Sequence, residues 1–313
     1  MTLATHVRTL GRGPGRSRSL TREEAAEAMA LMLTGEAAPE AVGALLMLLR
    51  MKGETAEEIA GLAEAAQAAM PAAPRADLDW PSYAAGRTRG LPWFLLSARL
   101  VSMAGHSVLL HGWNGSDGAV RAGLAAAGIP VLGGAETLPP GAIGYLPLEQ
   151  AHPALFSLLN LRGVLGLRSC VNTVCRMLNP GRAPASVQGV FHPSYRLLQA
   201  DAAALLGWRS LSVIKGGGGE VERHPGKDVE WFGLRDGQPG QGVYPAHAQL
   251  QHRLSELPGA VGLAEVWSGE ATDPLAEAIV IATAAVALDT LGHAHPEALS
   301  RALWATRRTQ LAA

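Results

Sequence analysis

The chain has 313 residues and a hydrophobic content of 48%, enough for one large domain or two smaller ones with a sizeable core. A net charge of −1 excludes a uniformly polycationic molecule, and no run of about 18 uninterrupted apolar residues exists to span a membrane. Arginine supplies all but three of the 26 basic residues, lysine standing only at Lys52, Lys215 and Lys227. That bias suits bidentate phosphate or carboxylate contacts, and a GC-rich genome would produce it equally. No signal-peptide pattern opens the sequence, so a cytoplasmic location is expected, with Cys170 and Cys175 as packed thiols rather than a disulfide.

Residues 1–19 are rich in Gly and Arg and are expected to form, at least in part, a mobile arm. Thr21-Arg22-Glu23-Glu24 is a capping box that opens a helix ending at Thr34-Gly35. Pro39 opens a second helix, which Gly53 stops. Thr55-Ala56-Glu57-Glu58 is a second capping box and starts a third helix, running to Met70. Three amphipathic helices this short complete their core with another chain or another part of their own. Pro71 to Arg75 reads as a linker, dividing a helical domain at 1–75 from a second domain at 76–313.

From Asp77 the hydrophobic period changes. A first strand, a loop, an apolar helix (Leu91 to Ala104) and a second strand (Ser107 to His111) are followed by a helix over Val120 to Ala127. Short strands are expected at Ile129 to Leu132 and Gly144 to Leu148, and a mostly helical stretch from Pro153 to Leu178. A strand at Ser186 to Val190, a helix at Pro193 to Leu206 and a strand at Ser210 to Lys215 lead into Gly216-Gly217-Gly218-Gly219. An irregular, strand-like region runs to Ala248, and helices at Pro274 to Leu291 and Pro296 to Thr309 close the chain. Alternating elements of this kind predict an α/β domain with a mostly parallel sheet beside the small helical bundle.

The first strand-to-helix loop of an α/β domain is where a phosphate normally sits, facing the helix N-terminus. Here that loop is Ser82-Tyr83-Ala84-Ala85-Gly86-Arg87-Thr88-Arg89-Gly90, with only two glycines. Ser82, Arg87, Thr88 and Arg89 make it an anion corner built from side chains rather than a tight backbone nest. Lys215 and Arg223, flanking the four glycines, are further phosphate candidates, with His224-Pro225-Gly226-Lys227 continuing the basic segment.

The chain resembles the anthranilate phosphoribosyltransferase family, glycosyltransferase family 3, from about residue 20 to 220. The resemblance rests on Leu20 to Glu24, Thr34-Gly35-Glu36, Leu49 to Gly61, His111-Gly112, Ala151-His152-Pro153-Ala154, Arg162 to Asn172 running to Asn179-Pro180, and Gly189 to Pro193. It implies a helical domain beside an α/β domain of the nucleoside phosphorylase type, a cleft between them, and a homodimer through the helical domain. It implies that Arg162 contacts an acceptor carboxylate, with His111, Gly112, Asn114 and His152 near that cleft. It also implies that the helices within 153–178 pack on the N-terminal bundle.

The departures matter as much. The family's glycine-threonine-glycine-glycine-aspartate loop falls on Ser82 to Arg89 and is replaced, and Leu110 stands where a lysine precedes His111-Gly112. The adjacent aspartate-glutamate pair that holds magnesium is represented by Glu220-Val221-Glu222, weak candidates because the spacing separates them. Single histidines at element ends cap or pack more often than they catalyse, and this applies to His111, His152 and His192. Arg87, Arg89, Arg162, Arg168, Arg176 and Arg182 are expected to make an arginine-rich cleft, with Trp93, Trp113 and Trp231 either stacking on bases or packed in the core. A paralogue subgroup that lacks the phosphate loop and binds nucleic acid without sequence preference is similar. The preferred expectation is therefore a much-altered family member that binds DNA, RNA or other phosphate-rich ligands as a homodimer, without a cofactor. The alternative is an active glycosyl- or phosphoribosyltransferase that uses phosphoribosyl pyrophosphate (PRPP) and Mg²⁺ with an unidentified acceptor.

Overall fold

The computed structural model describes residues 2–83, 90–115, 118–134, 136–247 and 262–308. The chain opens with a helical bundle: α1 (Leu3–Gly11), α2 (Arg22–Leu33), α3 (Pro39–Lys52) and α4 (Ala56–Ala68). Both capping boxes form, Thr21 with Glu24 and Thr55 with Glu58, each pair satisfying two amides that a helix start leaves without partners. Glu58 does more than cap. Its fully buried carboxylate accepts from the amides of Leu20 (2.9 Å) and Thr55 (2.8 Å) and pairs with Lys52 Nζ at 2.8 Å. One charge thus ties the entry of α2, the end of α3 and the start of α4 together.

The expected mobile arm is corrected here: α1 is a helix, with Leu3, His6 and Leu10 buried, packed on α3. The spacing of Leu3, His6, Val7 and Leu10 is the i, i+3, i+4, i+7 pattern of an amphipathic helix. The surrounding Gly and Arg residues, counted as composition, masked it.

The second part alternates β1 (Leu78–Ser82), α5 (Phe94–Met103), β2 (Val108–Gly112), α6 (Gly118–Ala126) and β3 (Ile143–Pro147). Then come α7 (Leu148–Ala151), α8 (Pro153–Asn160), α9 (Arg162–Leu165), α10 (Val171–Arg176), β4 (Ala185–Val190), α11 (Ser194–Leu205) and β5 (Ser210–Lys215). The chain continues through β6 (Val229–Arg235), β7 (Gln238–Tyr244), α12 (Leu263–Ser268), α13 (Pro274–Thr290) and α14 (Pro296–Thr306). The sheet order is β3-β2-β1-β4-β5-β6-β7, with β1 to β5 parallel and β6 and β7 antiparallel. Two expectations change. Ile129 to Leu132 forms only an isolated bridge, Val131 to Tyr145, and the stretch 153–178 is three separate helices, with Gly166 at φ 67° after the second. Leu263–Ser268 is a helix that the sequence reading did not contain.

Helices cover both faces of the sheet. On one, α13 is buried on nearly every side, packed on α5 and α14, and its 17 residues carry an apolar side chain all round. On the other, α8, α10 and α11 join the bundle in one continuous core that contains Leu45, Leu62, Leu155, Val174 and Val213. The incomplete bundle thus finishes its core within its own chain. Cys170 and Cys175 lie in this core as free thiols that burial pushes well above the usual range. Gly112 is required at the end of β2: a Cβ there would stand 1.7 Å from the Ser82 carbonyl oxygen of the neighbouring strand.

His106 and His293 join the loop before β2 to the turn between α13 and α14, their Nε2 atoms 2.8 Å apart. Burial, then the charge of His293, lower the His106 pKa, against a smaller opposing pull from Asp77. A lowered folded pKa means that the unfolded chain takes up the proton first. Stability is therefore full above the ordinary histidine pKa near ~6.5 and falls as pH drops through the lower folded value. Urea midpoints measured from pH 7.5 to 5 should decline across that window, and His106→Gln should flatten the decline. An equal decline in the variant would remove His106 as the cause.

Candidate active-site cleft

The strand order reverses beside β1, since β2 and β3 follow on one side and β4 and β5 lie on the other. In open parallel sheets a ligand crevice forms at that reversal, outside the carboxyl ends of the strands. Here those ends are Ser82 and Val190, and the crevice is closed from above by the segment from α8 to α10.

Among the described residues two cavities there share part of their lining. The larger, about 300 Å³, is lined by Arg50, Arg162, Arg168 and Arg176 together with Asn172, Phe191, His192 and Tyr195, and among the described residues no carboxylate lines it. The smaller, about 20 Å³, shares Arg162, Arg168, Ser169 and Asn172 and is walled by Tyr83, Trp113 and Leu159. Arg162 is therefore where the two meet. It is exposed and has no ion-pair partner among the described residues. Arg50 reaches in from the end of α3 and donates from Nη1 to the Arg168 carbonyl at 2.5 Å. Burial, then the charges of Arg162, Arg176 and Arg50, lower the Arg168 pKa. Like charges gathered without a lining carboxylate attract an anion.

Arg176 is the floor of the larger cavity. It is 4% exposed and donates from Nε to the Gly189 carbonyl (3.1 Å), from Nη2 to the Tyr83 carbonyl (3.0 Å) and from Nη1 to the carbonyl and side chain of Asn172. It thereby ties together the ends of β1 and β4. Buried Glu220 adds its negative charge nearby.

A layer beneath Tyr83 lies a buried polar chain. The Tyr83 hydroxyl is 2.9 Å from His111 Nδ1, His111 Nε2 is 3.1 Å from Asp79 Oδ1, and Ser186 donates to Asp79 Oδ2 at 2.7 Å. Burial pushes the Tyr83 phenol well above its usual range, so it stays protonated. This corrects the placing of His111 at the acceptor: it sits behind Tyr83 and lines neither cavity. Ser82 and Asn114 are likewise internal. Asn114 Nδ2 donates to the Ser82 carbonyl and hydroxyl, and Asn114 Oδ1 accepts from the Tyr145 hydroxyl at 2.6 Å. Gly112 serves strand packing. His152 is the N-cap of α8, accepting from the Leu155 amide while its Nε2 meets the Ala66 carbonyl at 3.1 Å; it fastens α8 to the bundle.

Of the phosphate candidates, Arg87, Thr88 and Arg89 lie outside the described residues. Arg223 is corrected: it is 2% exposed, donates to the Pro245 carbonyl and stacks on Tyr244. Arg182 also leaves the cleft, donating to Gln67 Oε1. Lys215 and Lys227 line a separate cavity of about 650 Å³ on the β6 side, together with Gly216, Gly217, His224 and the Arg196–Glu230 ion pair. The glycine run is not an open phosphate nest, because the amides of Gly216, Gly217 and Gly219 bond to the carbonyls of Val190, Glu222 and Gly216. Trp93 is core, Trp231 stacks under Arg235, and Trp113 alone of the three tryptophans faces the cleft.

Glu220 and Glu222 are both buried: Glu220 is felt electrostatically by Arg176, while Glu222 Oε2 accepts from the Phe94 amide at the start of α5, 3.3 Å away, and Glu222 also lines the cavity beside Lys215. Val221 between them is core. Among the described residues no group of three His, Cys, Asp or Glu side chains converges as a metal site. The two glutamates do not present themselves as a ligand pair. Sequence reasoning missed Arg50 and Tyr195, because each reaches the cleft from an element distant in the chain, and it passed over Tyr83, which stands in the loop it singled out.

Residues 6–70 match the family model described as the helical bundle domain of the glycosyl transferase family. An anthranilate phosphoribosyltransferase of Myxococcus xanthus is 34% identical over 237 residues, covering 72% of this chain and 70% of the relative. That of Thermus thermophilus is 32% identical over 291 residues, covering 85% and 84%. A crystal structure of anthranilate phosphoribosyltransferase from Thermus thermophilus superposes with a TM-score of 0.79 at 25% identity, over 99% of this chain and 96% of that one. The yeast enzyme in complex with PRPP and Mg shares the fold, with a TM-score of 0.77 at 17% identity. The chain belongs to the anthranilate phosphoribosyltransferase family.

Proposed function

We propose that the chain is a glycosyltransferase of this family, moving a phosphoribosyl group from PRPP to an aromatic acceptor that carries a carboxylate, with anthranilate the first candidate. The observation that carries this reading is Arg162, exposed at the junction of an aromatic-walled cleft and an arginine-lined cavity that, among the described residues, no carboxylate lines. In this reading the acceptor's ring lies beside Trp113, in a cleft that must open to admit it, with its carboxylate in the fork of Arg162. The relatives support the enzymatic reading over nucleic-acid binding, since those compared are named as anthranilate phosphoribosyltransferases. A homodimer through the helical bundle belongs to the same reading and is checked by light scattering on the purified protein. The activity test is pyrophosphate release from PRPP with Mg²⁺ in solution, across anthranilate and other aromatic amino-carboxylates. Acceptor-dependent release supports the reading; its absence with every acceptor overturns it.

A second reading is non-catalytic binding of single- or double-stranded nucleic acid, for which the arginines lining the larger cavity would supply phosphate contacts. It requires affinity for an oligonucleotide that falls steeply as salt rises, because such binding releases counterions. No binding, or binding indifferent to salt, removes it.

A further inference from the structure

The smaller cavity, about 20 Å³, has room for roughly one water molecule, whereas a cavity of about 150 Å³ is the scale that takes a benzene ring. A ring entering beside Arg162 must therefore displace part of the wall. The two aromatic walls are held very differently. Tyr83 is 2% exposed, its hydroxyl lies 2.9 Å from His111 Nδ1, and its carbonyl accepts from Arg176 Nη2 at 3.0 Å. Side chain and backbone are both tied into the fold.

Trp113 is half-buried, and among the described residues no hydrogen bond from its indole holds it. It follows Gly112 at the end of β2 and meets Phe156 of α8 in a T-shaped contact, ring centroids 5.5 Å apart and planes at 65°. It also lies against Gly115, where an added Cβ would come within 2.4 Å of the indole. Packing alone seats it. Trp113 is thus the aromatic wall that yields. An indole is itself a fused two-ring system, so the room it takes up is the room a bicyclic ligand would need.

We propose that Trp113 is the specificity-determining residue of the acceptor compartment: its indole fills the space of a second fused ring and limits the acceptor to a single ring beside Arg162. This rests on the reading above for the place of the acceptor carboxylate.

Calorimetric titration with benzoate and 2-naphthoate, which share the carboxylate and differ by one ring, tests it without turnover. Wherever a site has room, the larger apolar surface makes 2-naphthoate the tighter ligand. The unaltered protein should instead bind benzoate about 10-fold or more tighter, the scale on which a pocket rejects excess bulk. Trp113→Ala should reverse that order, and Trp113→Phe, which keeps one ring, should fall between. Adding Arg162→Gln to Trp113→Ala should weaken both acids, which fixes the compartment they occupy. The proposal is overturned by 2-naphthoate binding the unaltered protein more tightly, by a ratio that neither Trp113 variant moves, by Arg162→Gln without effect, or by neither acid binding any of these proteins. Trp113→Phe retains an aromatic ring against Phe156, so if Trp113→Ala melts early the shift in ratio with Trp113→Phe decides. Size selection in a protein that fails the pyrophosphate assay leaves the role of Trp113 standing and removes only the transferase reading. Pyrophosphate release with an unmoved ratio removes only the role of Trp113.

Discussion

Replacing Arg162 with glutamine should lower kcat/KM for a carboxylate-bearing aromatic acceptor by about 10- to 100-fold, the value of roughly 1.5 to 3 kcal/mol for a charged hydrogen-bonding partner. The loss should sit mainly in acceptor KM, since the carboxylate takes no part in the bond made at the amine and is bound alike in ground and transition states. Saturation with PRPP should change little. Stability should hold as well: Arg162 is exposed on the four-residue α9 and pairs with no acid among the described residues, so nothing buried loses its partner. Steady-state kinetics with varied acceptor, alongside a thermal melt, reads both quantities. A variant that keeps its acceptor KM would show that the carboxylate is held elsewhere.

Arg176→Met should produce the largest loss of stability, about 3 to 5 kcal/mol, because it breaks a buried charged network by removing one member. Three carbonyls, those of Gly189, Tyr83 and Asn172, would lose their donor, and Glu220 would lose the nearby positive charge. Since the guanidinium joins the ends of β1 and β4, the floor of the cleft should loosen with it. Denaturant unfolding measures the first effect and anion affinity the second. The double variant Arg176→Met with Glu220→Gln should recover part of the loss, because the uncompensated carboxylate is gone. A double variant less stable than Arg176→Met alone would show that Glu220 is held by other partners and that its pairing with Arg176 is incidental.

What the sequence determined by itself was whatever depends on neighbours in the chain. Capping boxes at Thr21 and Thr55, the stop at Gly53 and the strands at Ser186 to Val190 and Ser210 to Lys215 need only three- or four-residue spacing or a period of two, and they stand where that pattern puts them. Ordered motifs were enough to place Arg162 in the cleft. Tertiary structure decided the rest, since burial and charge pairing depend on residues far apart in sequence. His111 was drawn behind Tyr83 by Asp79, 32 positions earlier in the chain, and Arg223 was folded against Tyr244 and Pro245 instead of facing a phosphate. The arm at residues 1–19 gained a helix because α3 covers its apolar stripe. Arg50 became part of the site only when the bundle was laid against the segment after α9, 118 residues further along the chain. A guanidinium has the same chemistry at each of these positions. Whether it is taken up by backbone carbonyls, as at Arg176, or left exposed at a cavity, as at Arg162, is settled by the packing around it.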